Sequence, residues 1–359
     1  FDPENDRRAR AHCEALVRLK IALDQREFSL YYQPKIDMRQ GVVIGTEALI
    51  RWRHPEYGLI LPGEFLPVVA EDADFAAALG DWVLAEVLRQ MEQWLKQGLK
   101  LPVSVNIAAR HLQHPEFINR LTALLETTPD IDPDQLELEI LETAALDDMA
   151  LSSRVIRECR QMGVTFALDN FGAGYSSLTY FKQLPVNVLK IDQSFVRGML
   201  DDAENFAIVT GVMGLAEAFQ RQPIAGGVET VEHGLFLLQL GCDLAQGYGI
   251  AQPMPAEAIP AWVRDFRPDP LWEPVRALRW SRDDFPLLAM RVEHRHWVKQ
   301  LAISLDLATV DSAPSPSLDA GDCRFGRWLH SHEGQRYNAI AAFQAMNAIH
   351  QVLHDLGKA

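Results

Sequence analysis

Four cysteines in 359 residues, at positions 13, 159, 242 and 323, are too few and too scattered to staple a chain of this size. That sparsity excludes a disulfide scaffold and fits a reducing compartment, so a cytoplasmic protein is expected. No stretch reaches the roughly 18 uninterrupted apolar residues of a membrane helix, so there is no candidate span. No basic run stands out, and a formal net charge of −15 argues against a face that neutralises a nucleic-acid backbone. The sequence opens on Phe1 and carries no signal peptide, which reads as a piece of something longer. What is present is ordinary globular material: 48% hydrophobic and 23% charged residues, enough for one large domain plus a small one.

Along the chain, short apolar runs alternate with longer helical patterns. Candidate strands fall at 28–37, 43–52, 101–108, 136–141, 164–170, 186–192, 223–229 and 242–249. Helical stretches at 75–98, 114–126, 146–162, 201–219 and 230–240 separate most of them, and a first helix covers 6–26 with Ala15, Leu16, Leu19 and Leu23 on one face. The first two strands are the exception, joined by "MRQG" as a hairpin. This rhythm predicts an α/β fold, a TIM-like (β/α)8 barrel with an irregular first strand pair. "FRPDPLWEP" (266–274) reads as a linker, and the helical patterns at 284–308 and 336–356 predict a small C-terminal all-α bundle. The division expected is 1–27 as a junction, 28–265 as barrel, 266–283 as linker and 284–359 as the helical domain.

Glu47, Asn106, Glu139, Asp169, Lys190 and Gln246 all fall at or near strand C-terminal ends, where such barrels carry chemistry. Any one of them alone would be a polar group satisfied by a loop; six in one pattern point to a site. Oxygen donors of this kind suit Mg²⁺ or Mn²⁺ rather than Zn²⁺. Two such ions roughly 4 Å apart are a common device for activating water against a phosphodiester, with Lys190 neutralising phosphate or orienting the water. In "FALDNFGAGYSS" the residue after Asp169 would be the natural second carboxylate, and it is the neutral Asn170.

The segments "YYQP", "EALIRWRHPEYG", "NIAARHL", "LELEILET", "LDNFGAGYSSL", "LKIDQSFV", "GGVET" and "QGYGIAQPMP" resemble, in order, the motifs of the EAL domain over residues 28 to about 263. The resemblance implies a metal-dependent phosphodiesterase fold acting on cyclic di-GMP. It implies Glu47, Asn106, Glu139 and Asp169 around a first metal, Asn170 in place of a second-metal aspartate, and Lys190 and Gln246 as catalytic lysine and water-orienting glutamine. It further implies that Gln33 and Arg51 hold bases and phosphates, Arg51 through a bidentate guanidinium. Glu142 would brace the loop after Asp169, a loop used in the family for dimer contact. Gly226, in "IAGGVET", stands where the family has a glutamate that serves as metal group and general base. Glycine offers neither role, and base assistance alone is worth roughly 10²- to 10⁴-fold. His111 and Leu141 depart from the usual glutamine and threonine at supporting positions.

In the C-terminal region His350 and His354 lie four apart, which puts both imidazoles on one helix face, and Cys323 with His294 or His296 would complete a thiolate-and-imidazole set suited to Zn²⁺. "HRHW", "CRFGRW" and the HxxxH pair resemble the chemoreceptor zinc-binding (CZB) domain, which implies His294, Cys323, His350 and His354 as ligands and leaves His296, His330 and His332 outside the set. "FDPENDRRAR" resembles the junction after GGDEF domains, implying an upstream GGDEF-like or sensor partner. The expected function is a cyclic di-GMP signalling protein, a homodimer, whose degenerate barrel binds the nucleotide with little or no hydrolysis and is coupled to zinc sensing. An active phosphodiesterase gated by zinc or redox, and a dimerising scaffold without nucleotide, are the competing expectations.

Overall fold

The computed structural model describes residues 3–143, 148–172, 178–278, 280, 285–306, 319–321 and 323–358. Ten strands are present among them: β1 (Phe28–Asp37), β2 (Val42–His54), β3 (Gly58–Ile60), β4 (Val103–Asn106), β5 (Leu136–Leu141), β6 (Thr165–Phe171), β7 (Val188–Ile191), β8 (Gln222–Ala225), β9 (Leu244–Ala245) and β10 (Met254–Pro255). β2, β4, β5, β6, β7, β8 and β9 pair side by side in that order, and β1 closes the ring by pairing with both β2 and β9. The result is the eight-stranded barrel expected from the sequence, with β3 and β10 added outside the closed ring.

The irregular start has a local cause. β1 is antiparallel to both of its barrel neighbours, whereas β2 and β4 through β9 run parallel. A parallel pair needs a long crossover, but only residues 38–41 join β1 to β2, so they form a hairpin, turned by Gly41 at φ +72°. From β3 onward a helix separates each strand from the next up to β9, for example Ala73–Lys96, Met149–Gln161, Ala203–Ala218 and Val231–Leu240. Capping fixes where several of these helices begin: Asp72 accepts from the Phe75 amide at 2.9 Å, Asp148 from Leu151 at 3.0 Å and Asp202 from Glu204 at 2.8 Å. With helices outside and side chains inside, the parallel strands are apolar on both faces, and Val103, Val105, Leu136, Leu138, Phe166, Leu168 and Leu189 are all buried.

The helix Pro3–Asp24 packs Leu19 and Ala22 against Phe28, Trp52 and Phe65, beside the main core. The stretch read as a linker is built into the barrel surface. Pro270 opens a 3-10 turn, Trp272 is buried, and its indole Nε1 donates to Val231 O at 2.9 Å. Arg39 in the β1–β2 turn donates to the carbonyls of Arg276 and Leu278 at 2.7 and 3.1 Å, and Arg276 Nε returns a bond to Arg39 O. Beyond lie helices Phe285–Asp306, Arg324–Leu329, His332–Gln335 and Ala341–Lys358, whose small core is Met290, Phe325, Trp328, Leu329 and Phe343. The Pro- and Ser-rich stretch 310–322 lies largely outside the described residues.

Candidate functional site

The barrel interior gathers the polar residues that the sequence placed near strand ends. Lys190, on β7, is at the centre: its Nζ lies 2.7 Å from Glu139 Oε2, 2.8 Å from Glu47 Oε2 and 3.6 Å from Asp169 Oδ1. Glu47 Oε1 accepts from Asn106 Nδ2 at 2.6 Å, and Glu47 Oε2 accepts from Gln246 Nε2 at 2.7 Å. Gln246 Nε2 also donates to Gln33 Oε1 at 3.0 Å, while Gln33 Nε2 donates to Ala251 O. Gln33, Glu47, Asn106, Glu139, Asp169, Lys190 and Gln246 therefore form one connected network. Glu47 and Glu139 lie in mid-strand, because β2 runs on past the barrel to pair with β3 and β5 continues to Leu141.

The sequence reading passed over a second ammonium. Lys35 on β1 is buried and donates to Glu139 Oε1 at 2.5 Å, Glu137 Oε1 at 2.9 Å and Ser104 Oγ at 2.5 Å, while Ser104 Oγ donates to Glu137 Oε1 at 2.6 Å. The two lysines thus grip opposite oxygens of Glu139. The signal was there in the two-residue strand period: Lys35 shares a face with Gln33, and Glu137 with Glu139.

These contacts set the charge states. Burial works against an ionised Glu139, yet Lys190 and Lys35 hold its carboxyl down at about 2. Burial likewise pushes Asp169 up to about 6, with Lys190 opposing and Glu139 and Glu47 adding to the rise. Desolvation works to discharge Lys190, but the surrounding carboxylates raise its pKa well above the usual lysine value.

A backbone irregularity aims the next residues. The β6–β7 register shifts between Leu168 and Phe171, and Asn170 sits at φ +56°, a left-handed conformation that, glycine apart, Asn and Asp tolerate best. The loop then turns at Gly172, whose amide donates to Glu142 Oε2 at 3.0 Å; residues 173–177 of the loop fall outside the described residues. Gly226 follows β8. A Cβ built there would lie 4.0 Å from Lys190 Cε and 3.2 Å from Ile191 O, so a side chain at 226 would start beside the lysine. Unlike Gly227 at φ +74°, Gly226 is not in the left-handed region, so the backbone does not demand glycine there. Arg51 is buried, with its guanidinium 5.6 Å from the Tyr31 ring centroid, and forms no ion pair with a carboxylate among the described residues. His111 is a support: its Nε2 meets Asp81 Oδ1 at 2.8 Å under the helix Ala73–Lys96.

The donor set fits a divalent cation. Glu47, Glu139 and Asp169 converge on one point now held by an ammonium, and the buried Gln246 Oε1 has no hydrogen-bond partner among the described residues. In the helical domain the donor atoms of His294, Cys323, His350 and His354 lie within 4.8 Å of one another. Cys323 Sγ is 3.9 Å from His294 Nε2 and 3.2 Å from His350 Nε2, close to the ~3.6 Å that tetrahedral Zn–S and Zn–N bonds imply. His294 Nδ1 contacts Met290 O at 2.8 Å, which leaves Nε2 for a metal. Burial, with His294 and His354 adding to it, lowers His350 to about 4, so its imidazole is neutral at pH 7, the form a metal would need. His296 instead faces the barrel, with Nδ1 3.1 Å from Asp201 O, and His330 Nδ1 bonds Gly326 O within its own helix turn.

Comparison with known proteins agrees with both halves. The model of the EAL domain matches residues 16–253, and that of the chemoreceptor zinc-binding domain matches residues 294–359. The chain is 38% identical over 265 residues to the bifunctional diguanylate cyclase/cyclic di-GMP phosphodiesterase MucR of Pseudomonas aeruginosa, covering 73% of this chain and 38% of that protein. It is 35% identical over 266 residues to the cyclic di-GMP phosphodiesterase PdeR of Escherichia coli, covering 74% of this chain and 40% of that one. The chain thus spans less than half the length of these relatives. Among solved structures, the PaMucR phosphodiesterase in complex with c-di-GMP matches with a TM-score of 0.65 and 39% identity, covering 68% of this chain and 99% of that one. The EAL enzyme Bd1971, with cAMP and cyclic di-GMP bound, matches with a TM-score of 0.66 and 30% identity, covering 71% and 69%. The chain belongs to the EAL domain family and carries a CZB domain behind its barrel.

Proposed function

We propose that this chain binds cyclic di-GMP together with one divalent cation and hydrolyses it little or not at all, and that its zinc-binding domain bears on that binding. The observation that carries the reading is the charge of the pocket. Two ammonium groups, Lys35 and Lys190, face four carboxylates, Glu47, Glu137, Glu139 and Asp169, so the ionised cluster has a net charge of two minus four, or −2. One Mg²⁺ or Mn²⁺ neutralises that charge. An aspartate at 170 and a glutamate at 226 would make it −4, matching two such ions, and the sequence has Asn170 and Gly226 there instead.

In this reading Glu47, Asn106, Glu139 and Asp169 hold the cation, whose chemistry is to polarise a phosphate oxygen and acidify water. Arg51, whose guanidinium donates to Ile50 O at 2.9 Å but meets no carboxylate among the described residues, takes a phosphate through its remaining N–H groups, and Gln33 and Gln246, already joined at 3.0 Å, line the nucleotide's seat. Lys190 contributes positive charge beside the phosphate. No general base stands at position 226, so a bound water lacks a proton acceptor there. Glu142 keeps the loop after Asp169 in place through Gly172, and that loop is the proposed dimer contact. An upstream GGDEF-like or sensor domain in the full protein would fit the partial coverage of its relatives.

Support for zinc coupling comes from the helix Phe285–Asp306. It carries His294 and also docks on the barrel: Arg291 and Arg295 reach Glu232 at 2.6 and 2.7 Å, and Lys299 reaches Asp201 at 2.7 Å. Glu232 and Asp201 lie close in sequence to the β8 loop and to the segment after β7. A change in the zinc site therefore has a contact route to the segments around Lys190 and Gly226.

The test is turnover of cyclic di-GMP with Mn²⁺ in the wild type and in Asn170→Asp, Gly226→Glu and their double variant. The expected result is very slow turnover in the wild type and a gain in the double variant beyond the sum of the singles. Arg51→Ala should weaken nucleotide binding by about 1.5–3 kcal/mol, the loss of a charge-assisted contact. Wild-type turnover at the rate of ordinary enzymes would make the chain an active phosphodiesterase instead.

A further inference from the structure

Lys35 reaches across the barrel interior. It is carried by β1, yet its ammonium meets Ser104 on β4 and Glu137 and Glu139 on β5, and β2 lies between in the ring. A lysine ammonium has three N–H donors, and these contacts, at 2.5, 2.9 and 2.5 Å, use them all. Ser104 Oγ donates on to Glu137 Oε1 at 2.6 Å, so the set closes on itself with no N–H left for a phosphate. Lys190 differs. It sits where Glu47 Oε2, Glu139 Oε2 and Asp169 Oδ1 converge, the oxygens for which a cation would compete.

We propose that Lys35 is a positioning residue: by occupying Glu139 Oε1 it leaves this acid one oxygen for a cation, and so biases the pocket toward Mg²⁺ and against Ca²⁺. The Glu139 side chain is fully buried, so water does not take Oε1 from the ammonium. Mg²⁺ demands near-octahedral order at short distances and is served by single carboxylate oxygens. Ca²⁺ takes about six to eight oxygens and readily accepts both from one carboxylate. Denying the second oxygen of Glu139 therefore costs Ca²⁺ a ligand that Mg²⁺ does not use. Partners outside a metal's own ligands commonly fix carboxylates in this way. A buried lysine needs an acid to pair with, and Glu137 alone would meet that need; the further bond to Glu139 is what ties Lys35 to the site. The inference rests on the reading that a divalent cation enters this pocket, and not on the fate of the nucleotide.

Charge and position can be separated by substitution. With Lys35 and Lys190 facing Glu47, Glu137, Glu139 and Asp169, the ionised cluster stands at two minus four, or −2. Lys35→Met makes it one minus four, or −3, and frees Glu139 Oε1. Adding Glu137→Gln returns the charge to one minus three, or −2, with Oε1 still free. Glu137→Gln alone makes it two minus three, or −1, while Lys35 keeps its bonds to Glu139 and Ser104. Replacing both partners of a buried pair is also gentler on the fold than removing one.

The experiment is competition for Mn²⁺ in the zinc-loaded full chain, with and without cyclic di-GMP, for the wild type, Lys35→Met, Glu137→Gln and the double variant. Bound zinc keeps the His/Cys cluster closed to Mn²⁺, the weaker binder there. Free Mn²⁺ is read by its electron paramagnetic resonance signal while Mg²⁺ or Ca²⁺ is added, and a thermal melt reports the fold of each variant. The Ca²⁺-to-Mg²⁺ affinity ratio should rise at least about tenfold in every folded variant that lacks Lys35, and stay within about twofold of the wild type in Glu137→Gln. An unchanged ratio in a folded variant lacking Lys35, the same rise in Glu137→Gln, loss of both ions on removing Lys35, or no folded variant without Lys35 would overturn this inference alone. A wild type that binds no Mn²⁺ in either condition would overturn it together with the cation reading.

Discussion

Lys190 Nζ lies 2.7 Å from Oε2 of Glu139, and Lys35 holds the other oxygen of the same carboxylate. A buried carboxylate clamped between two ammonium groups has no conformational slack, and it fixes where the remaining acids, Glu47 and Asp169, must converge. The pocket is arranged around a positive charge at that point whether lysine or a metal ion supplies it.

Removing the lysine exposes that dependence. In Lys190→Met the cluster loses one of two cations and keeps all its carboxylates. Breaking a buried ion pair from one side costs about 3–5 kcal/mol, so the variant should melt well below the wild type without added metal. Mn²⁺ should restore part of the loss and stabilise the variant more than the wild type, because the ion no longer competes with an ammonium for Glu47 and Glu139. Thermal melts with and without Mn²⁺ check this.

The thiols divide by burial and by ligation. Cys13 is exposed, whereas burial pushes Cys159 and Cys242 up to about 12 and removes their thiolates at neutral pH. In the zinc-loaded protein a thiol reagent should modify Cys13 alone. Chelation should add Cys323, and Cys159 and Cys242 should react only on unfolding. Cys323 reacting at the same rate before and after chelation would remove it from the metal site.

His111 gives stability an acid slope. It is buried, and desolvation lowers its pKa below 6.5 against the pull of Asp81. The unfolded chain therefore binds more protons at this residue than the fold does as pH falls through 6.5, and stability declines with it, by at most about 1.4 kcal/mol per pH unit for one group. Urea unfolding of His111→Gln on both sides of that pH should show a shallower decline than the wild type.

The barrel was legible because its strands are short apolar runs set off by helical spacing and by the "MRQG" hairpin. The strand read at 223–229 ends at Ala225 in the fold, and Gly227, at φ +74°, takes the backbone out of the extended conformation. Trp272 was hidden among prolines: Pro270 and Pro274 look like spacer residues, but one opens a 3-10 turn and the other a short helix, and between them the indole fills the surface beside Gly234. Lys35 was missed for a different reason. It lies near the C-terminal end of β1, but β1 runs antiparallel to its barrel neighbours, so that end sits beside the start of β2 and not beside the strand C-termini that gather the other polar residues. Of the His/Cys cluster, local spacing makes only His350 and His354 legible; bringing His294 and Cys323 to them takes the fold of three separate helices.

The most direct measurement is the fate of bound nucleotide. Zinc-loaded protein is incubated with a stoichiometric amount of cyclic di-GMP and excess Mn²⁺, the complex is separated from free ligand, and the nucleotide recovered from it is resolved by chromatography. The account predicts intact cyclic di-GMP held by the wild type through prolonged incubation, and its conversion to linear product in the Asn170→Asp, Gly226→Glu double variant. Linear dinucleotide recovered from the wild type within a few turnover times of an ordinary phosphodiesterase, or no bound nucleotide at all, would contradict it.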